Sequence, residues 1–571
     1  MLMRLKNIKS YALFIFFGLS TLIYSKPGYN RRDIATTPPL PTQNIVIQMV
    51  QFDGNNINSW VYNTGIFDQD RRTSNTPGFE WPIYTGQDAV FTDGLTIAGI
   101  YNGVIRMASA MYAGEYAPGY ITDSAGIPVA KTDSRFKVYS VKRTDSYLNN
   151  TDWLNWGLMV PYGAPFTDVN HNGTYEPAVD TPGVKNASQT IFICLTDGFP
   201  EQHSVSEGFG GGTLPLFAEL HTTIWCFDNP DLSDVQFFRW QVINKSHTNW
   251  NSFYCTMTCD PDLGCADDDF IGCDTTRNLG FCYNSNEIDC AGSYRYTGVV
   301  PSVGFLWLRC NNQNAPIISS MVYFIGPSSG GPMCETDPNP DIPGAYNYMK
   351  GIKKDATPWV IPPGGPSNIT KFCYSGDPET GNGWCERQGT ISGSVQNCGG
   401  PNVTTGTIVT ANYGGDRRLV MSSGSDNLTI HPADTQTVTI AQLIARGTNR
   451  RNSVTMLKIL ADTVRANCNR GFIIGVNENY SRVPDEYSLK QNYPNPFNPK
   501  TIISYTLPKS AFVVLTIYDI LGRELQIPVN EKQSAGTYNF VWDGTGLPSG
   551  VYFYKIKTGS FEQTKKMVLL K

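Results

Sequence analysis

The sequence predicts an all-β-dominated fold: a large β-sandwich-type body carrying a few helices, followed by a smaller β-sandwich at the C-terminus. Three observations carry that expectation. The 571 residues include 54 glycines and 37 prolines, and aromatic residues make up 12% against only 16% charged, a balance that suits turn-rich strands better than helical bundles. Aromatic and β-branched runs such as IVIQMVQF, QTIFICL, TTIWCF and VQFFRWQVI recur between clusters of Gly, Asn, Asp and Pro. Helical periodicity stands out in a single segment, about Ser453 to Ala466, where Val454, Leu457, Leu460 and Val464 recur at three- and four-residue steps behind an Asn452-Ser453 cap signal.

Taken in order, the chain opens with Arg4, Lys6 and Lys9 ahead of an apolar run from Tyr11 to Tyr24. That run is short for a membrane span and suits a signal peptide over residues 1–25, with an uncleaved anchor as the alternative. Residues 26–43 read as an irregular Pro- and Thr-containing leader. The β-rich body is expected over 44–470, with a division into two subdomains near 226–250 as an option, and 471–486 as a linker. No further stretch approaches the roughly 18 apolar residues of a spanning helix, and no internal repeat marks a propeller or solenoid.

Residues 487–571 alternate apolar and polar positions at period two: Ile503, Tyr505, Leu507; Val513, Leu515, Ile517; Tyr538, Phe540, Trp542; Tyr552, Tyr554, Ile556. Leu521-Gly522-Arg523, Asp543-Gly544 and Pro548-Ser549-Gly550 supply the turns, and Pro494, Pro496 and Pro499 a stiff approach. About six or seven short strands in roughly 80 residues fit an immunoglobulin-like β-sandwich. The strings QNYPNPFNPKTIISYTLP, VVLTIYDILGREL, GTYNFVWDGTGLPSGVYFYKIKTG and TKKMVLLK resemble, in that order, the type A C-terminal sorting domain of cargo exported by the type IX secretion system of Bacteroidota and their relatives. The resemblance implies recognition of 487–571 by the type IX machinery and delivery through the periplasm to the cell surface or the medium.

A formal net charge of -5 leaves no basic footprint for nucleic acid or an anionic membrane. All 14 cysteines lie between Cys194 and Cys468, so disulfides are expected in an exported body, with their pairing open. The dense set Cys255, Cys259, Cys265, Cys273, Cys282 and Cys290 admits a metal cluster as an alternative, against which stands the lack of CxxC or nearby-histidine spacing.

Two acidic segments carry candidate chemistry. In DVNHNGTYEPAVD, Asp168, Asn170 and Asn172 place oxygens at alternate positions, Gly173 permits the sharp turn, Thr174 offers a carbonyl, and Glu176 and Asp180 complete a shell for a structural Ca2+. The twelfth position is Val179, and Pro177 disfavours an exiting helix, so a fixed loop is expected, with a metal-free Asx-turn as the alternative. The second segment gathers Asp260, Asp262, Asp267, Asp268, Asp269 and Asp274, carboxylates that repel one another unless a cation such as Ca2+ or solvent screens them. The metal-ligand set read from this segment is Asp260, Asp262, Asp267, Asp268 and Asp274.

The body strings GIFDQDRRTSNTPGFEWP, RMASAMYAGEYAPGYI, DPDLGCADDDFIGCDTT and GDRRLVMSSG resemble a group of uncharacterised secreted proteins of type IX-secreting bacteria of the Bacteroidota and Ignavibacteria type. Asp123-Ser124-Ala125, Asp274-Thr275-Thr276 and Asp462-Thr463-Val464 look like the O-glycosylation pattern of Bacteroidota exports. HExxH, GxxxxGK[ST], CxxCH and a strand-borne GxGxxG are absent, and five histidines are scattered. The expected function is a calcium-stabilised, non-catalytic structural or binding protein outside the cell, with surface polysaccharide as a partner. The alternatives are a carbohydrate-active or peptide-degrading hydrolase, with Trp60, Trp81, Trp153 and Trp156 stacking on sugars, and a self-assembling filament or layer subunit.

Overall fold

The computed structural model describes residues 45–72, 75–122, 128–129, 132–310, 317–326, 332–362, 368–392, 408–410, 413–471, 487–492, 495–533, 536–559 and 561–570. The expected signal peptide and leader, residues 472–486 of the expected linker and the Asp123 tripeptide fall outside them. The chain divides into two compact units, Met1–Phe472 and Ile473–Lys571.

The long strands of the body, in chain order, are β1 (Thr92–Tyr101), β2 (Gln189–Thr196), β3 (Ala218–Cys226), β4 (Val235–Asn244), β5 (Asn251–Asp260), β6 (Asp269–Asp274), β7 (Leu279–Asn284), β8 (Ser302–Trp307), β9 (Ser320–Ile325), β10 (Arg417–Gly424) and β11 (Thr435–Ala445). Among the described residues they build two antiparallel sheets. The eight-stranded sheet runs from Met49–Phe52 through Ser59–Tyr62 and Ile66–Phe67 to β1, β5, β10 and β9, with Val104–Ala108 beside β1. The nine-stranded sheet runs Ala117–Pro118, β2, β3, β4, β11, β8, β7 and β6, with Tyr139–Lys142 also on β2. Across the stretch near 226–250, read as a possible subdomain division, β3 and β4 pair in one sheet from Ala218↔Asn244 to Cys226↔Gln236.

One core lies between the sheets, where the Phe67 ring sits 4.9 Å from Phe238 and 6.1 Å from Trp240. The run QTIFICLT is buried at every position because β2 is covered on both faces. Ile191, Ile193 and Leu195 face that core, while Phe192 and Cys194 join a second cluster with Phe136, Tyr139, Trp156 and Met159. Trp60, Trp81 and Trp156 are buried in these cores and are not available as a sugar-stacking platform.

Charged groups are built into the interior as well. Glu207 accepts backbone amides from Met111, from Tyr112 (3.1 Å), Ala113 (2.8 Å) and Gly114 (2.6 Å). Asp68 accepts from Gln442 at 2.5 Å, and burial pushes both acids up to about 7.

The described helices are α1 (Thr151–Asn155), α2 (Ile342–Met349) and α3 (Arg450–Asn469). The last is the expected helix, extended at both ends. Its cap is Asn449, three residues before the expected Asn452, because Asn449 is extended and its side chain accepts the Arg451 and Asn452 amides. Val454, Leu457, Ala461, Val464 and Cys468 form its buried stripe against β7, β8 and β11. Cys468 is bonded to Cys310 just past β8, and Cys265 to Cys290; Cys334 is also disulfide-bonded, and eight buried cysteines are free among the described residues.

The C-terminal unit is an immunoglobulin-like sandwich of β12 (Lys500–Leu507), β13 (Ala511–Tyr518), β14 (Glu524–Gln533), β15 (Gly536–Asp543), β16 (Gly550–Thr558) and β17 (Phe561–Leu569). Ser488–Leu489, β12 and β15 form one sheet, and β14, β13, β16 and β17 the other. The expected period-two residues Ile503, Tyr505, Leu507, Val513, Leu515, Ile517, Tyr552, Tyr554 and Ile556 make its core.

Candidate functional site

The first acidic segment connects the paired strands Phe166–Thr167 and Thr181–Pro182. Its backbone curls through left-handed conformations at His171 (φ 58°) and Gly173 (φ 77°), and His171 points into solvent. Asp168 accepts the amides of Asn172 (3.2 Å) and Gly173 (2.7 Å), and the Asn172 side-chain oxygen accepts that of Thr174 (2.8 Å). Glu176 Oε2 receives the side-chain amides of Asn170 (2.6 Å) and Asn172 (2.8 Å), so these oxygen-bearing residues converge. Buried Asp180 closes the loop by accepting from Val169 (2.9 Å) and Glu176 (2.7 Å). Trp153 also serves the loop, its indole donating to the Pro177 carbonyl at 3.0 Å while Tyr175 donates to the Trp153 carbonyl.

The second segment divides. Asp260, at the end of β5, and Asp262 meet Asp416, immediately before β10, with one carboxylate oxygen from each within 4.8 Å of the others and all three buried. Arg418 pairs with Asp260 (3.2 Å) and with Asp416, and receives support from the Tyr112 hydroxyl, which donates to Asp260 at 2.8 Å. Beside this group, Asp268 and Asp289 come within 4.8 Å of one another against the Cys265–Cys290 disulfide. Asp269 accepts from the Leu263 amide (3.1 Å) and Asp289 from the Tyr296 amide (2.6 Å). Gly264, at φ 72°, is what lets the chain pass, since any Cβ there would collide with the Asp289 carboxylate.

Asp267 is exposed and does not join. Asp274 lies at the other end of β6, about 16 Å along the strand, and is engaged by Arg277 (2.8 Å) and Thr276 (2.6 Å). Asp289 and Asp416 are the members sequence spacing missed; the second sits inside the GDRRLVMSSG string, and only the β5–β10 pairing brings it to Asp260.

Burial drives the electrostatics of this pocket. It raises Asp260 and Asp269 well above the ordinary carboxyl range and brings Asp289 up to about 6. Arg418 opposes the shift at Asp260, while Asp262 adds to the shift at both Asp260 and Asp269. One oxygen each of Asp260, Asp268, Asp269 and Asp289 is buried without a hydrogen-bond partner, and oxygen donors of this kind suit a hard cation.

The C-terminal unit matches the family described as Secretion system C-terminal sorting domain over residues 491–570, which marks the chain as type IX secretion cargo. No curated protein matches the sequence. Among solved structures, a polysaccharide lyase is 8% identical with a TM-score of 0.16, covering 80% of this chain and 47% of its own. The dimeric latent PorU of Porphyromonas gingivalis is 9% identical with a TM-score of 0.14, covering 61% of this chain and 26% of its own. The chain thus spans less than half the length of either, and similarity at this level carries no argument about the body.

Proposed function

We propose that this is a non-catalytic structural or binding protein delivered to the cell surface or medium by the type IX route, with its body stiffened by calcium. The single observation that carries the export half is the sorting-domain match at 491–570; a type A tail of Bacteroidota and their relatives is the finer reading. A chain truncated at Tyr487 is expected to stop in the periplasm, and its normal appearance outside the cell would end that half. Surface polysaccharide is the proposed partner.

The calcium half rests on the partnerless carboxylate oxygens of Asp268, Asp269 and Asp289 and on the mutual repulsion of these acids. A second ion at the Asp168 loop would be held by Asp168, Asn170, Asn172 and Glu176, with the Thr174 carbonyl. There the two asparagines need only turn their amides to present oxygen alongside Glu176. Calorimetry with calcium or chelator tests both. At calcium about a hundredfold above Kd the body should gain about 2.7 kcal/mol. Asp289→Asn should lose most of that gain yet be neutral or stabilising in chelator, where it removes a repelling charge; equal melts in calcium and chelator would remove the ion from the account.

A further inference from the structure

We propose that Cys194, Glu219 and His221 form a site for one thiophilic divalent cation of the zinc class, separate from the acidic groups above. Cys194 on β2 and His221 on β3 are directly paired across the strands, and Glu219 precedes His221 by two residues. All three side chains therefore leave the same face of the sheet. One donor atom from each falls within 4.8 Å of the other two. Sulfur, imidazole nitrogen and carboxylate oxygen at ordinary zinc bond lengths stand about 3.3–3.6 Å apart in a tetrahedron, so the three need only small adjustments to close on an ion.

The surroundings orient these groups as outer-shell partners do. Glu219 Oε2 is fixed by the Ile121 amide at 2.9 Å, leaving Oε1 beside His221 Nε2 at 2.8 Å. The row continues onto β4, where Gln241 is the cross-strand partner of His221. Gly163, at φ 88°, closes over both: a Cβ there would lie 2.9 Å from Gln241 Oε1 and 3.1 Å from His221 Nδ1. On this proposal Gln241 accepts the Nδ1 proton, which leaves the Nε2 lone pair for the cation. Cys194 now donates to the Gly119 carbonyl at 3.2 Å. On binding, that thiol proton goes to solvent, the imidazole proton moves from Nε2 to Nδ1, and the cation takes sulfur, nitrogen and oxygen. Water fills the fourth position, reached past His221, whose side chain is 12% exposed where the neighbouring Glu219 is 4%.

Cobalt(II) titration of the purified full-length chain tests the site, with metal content measured on the same preparation. One cobalt per chain is expected, with a thiolate-to-cobalt band in the near ultraviolet that is lost in Cys194→Ser and kept in Cys226→Ser, a buried free cysteine elsewhere on the sheet. Because Cys194→Ser can disturb the core, Glu219→Gln is read beside it and should weaken cobalt retention by about tenfold or more. A folded wild-type chain without the band, a band that survives Cys194→Ser, or unchanged retention in Glu219→Gln each overturns the proposal.

Discussion

The two sandwiches solve the same packing problem with different interiors. In the C-terminal unit, β12 alternates buried and partly exposed positions, with Ile503, Tyr505 and Leu507 inward, and among the described residues the core is apolar apart from Asn492, Thr501, Thr516 and Thr558. In the body, β2 is buried throughout, and Asp68, Glu207, Asp260, Asp269 and Arg418 lie inside. A sheet with one wet face can place all its charge in water. A sheet covered on both faces, joined by long connections, must satisfy some of it internally. The tail should therefore answer mainly to packing, and the body to packing, charge and pH.

The largest expected separation comes from Arg418→Met, which strands Asp260 and Asp416 without their cation. Removing one partner of such a buried pair costs about 3–5 kcal/mol, so the body's urea transition should move far down while the tail's stays in place; a small shift would mean that Asp260 is neutral in the folded body. The converse is Leu515→Ala in the tail core, expected to cost about 2–5 kcal/mol in the tail transition. Coupled loss of the body transition would show that the two units do not unfold independently.

Smaller, and opposite in sign between the units, is the effect of pH. Asp68 and Glu207 keep protons in the folded body that an unfolded carboxyl releases near pH 4. Their contribution is full below about pH 4 and is lost as pH rises through about 7, so the body's urea midpoint should fall between pH 5 and 8. In the tail, the Arg523 amide, the Thr545 hydroxyl and the Lys555 ammonium hold Asp519, Asp543 and Glu562 below their usual range. Those surface groups lose their small contribution on acidification instead. A body midpoint that stays flat across this range contradicts the buried-proton account.

The same contrast decides what could be read from sequence. The tail was legible nearly strand by strand, because a half-buried sheet writes its inward face at period two. In the body, QTIFICLT announces a strand but not its two covered faces, and helix α3 shows its stripe while the cap sits three residues early. The Asp168 loop was legible because its oxygens lie within one local turn. Asp289 and Asp416 were not, since no local spacing encodes the β5–β10 pairing or the Cys265–Cys290 closure. Asp274 was drawn in by proximity in sequence, although a six-residue strand carries it away.

The Cys310–Cys468 bond has a mechanical consequence. Helix α3 is the last described element before the linker, so tension on an engaged tail reaches the body at its C-terminal turn. There a covalent fastening near the end of β8 passes the load into a strand held between two neighbours. Without it, the helix could peel from the sheet one turn at a time under a weak pull; with it, the seam opens only if several backbone ladders shear together.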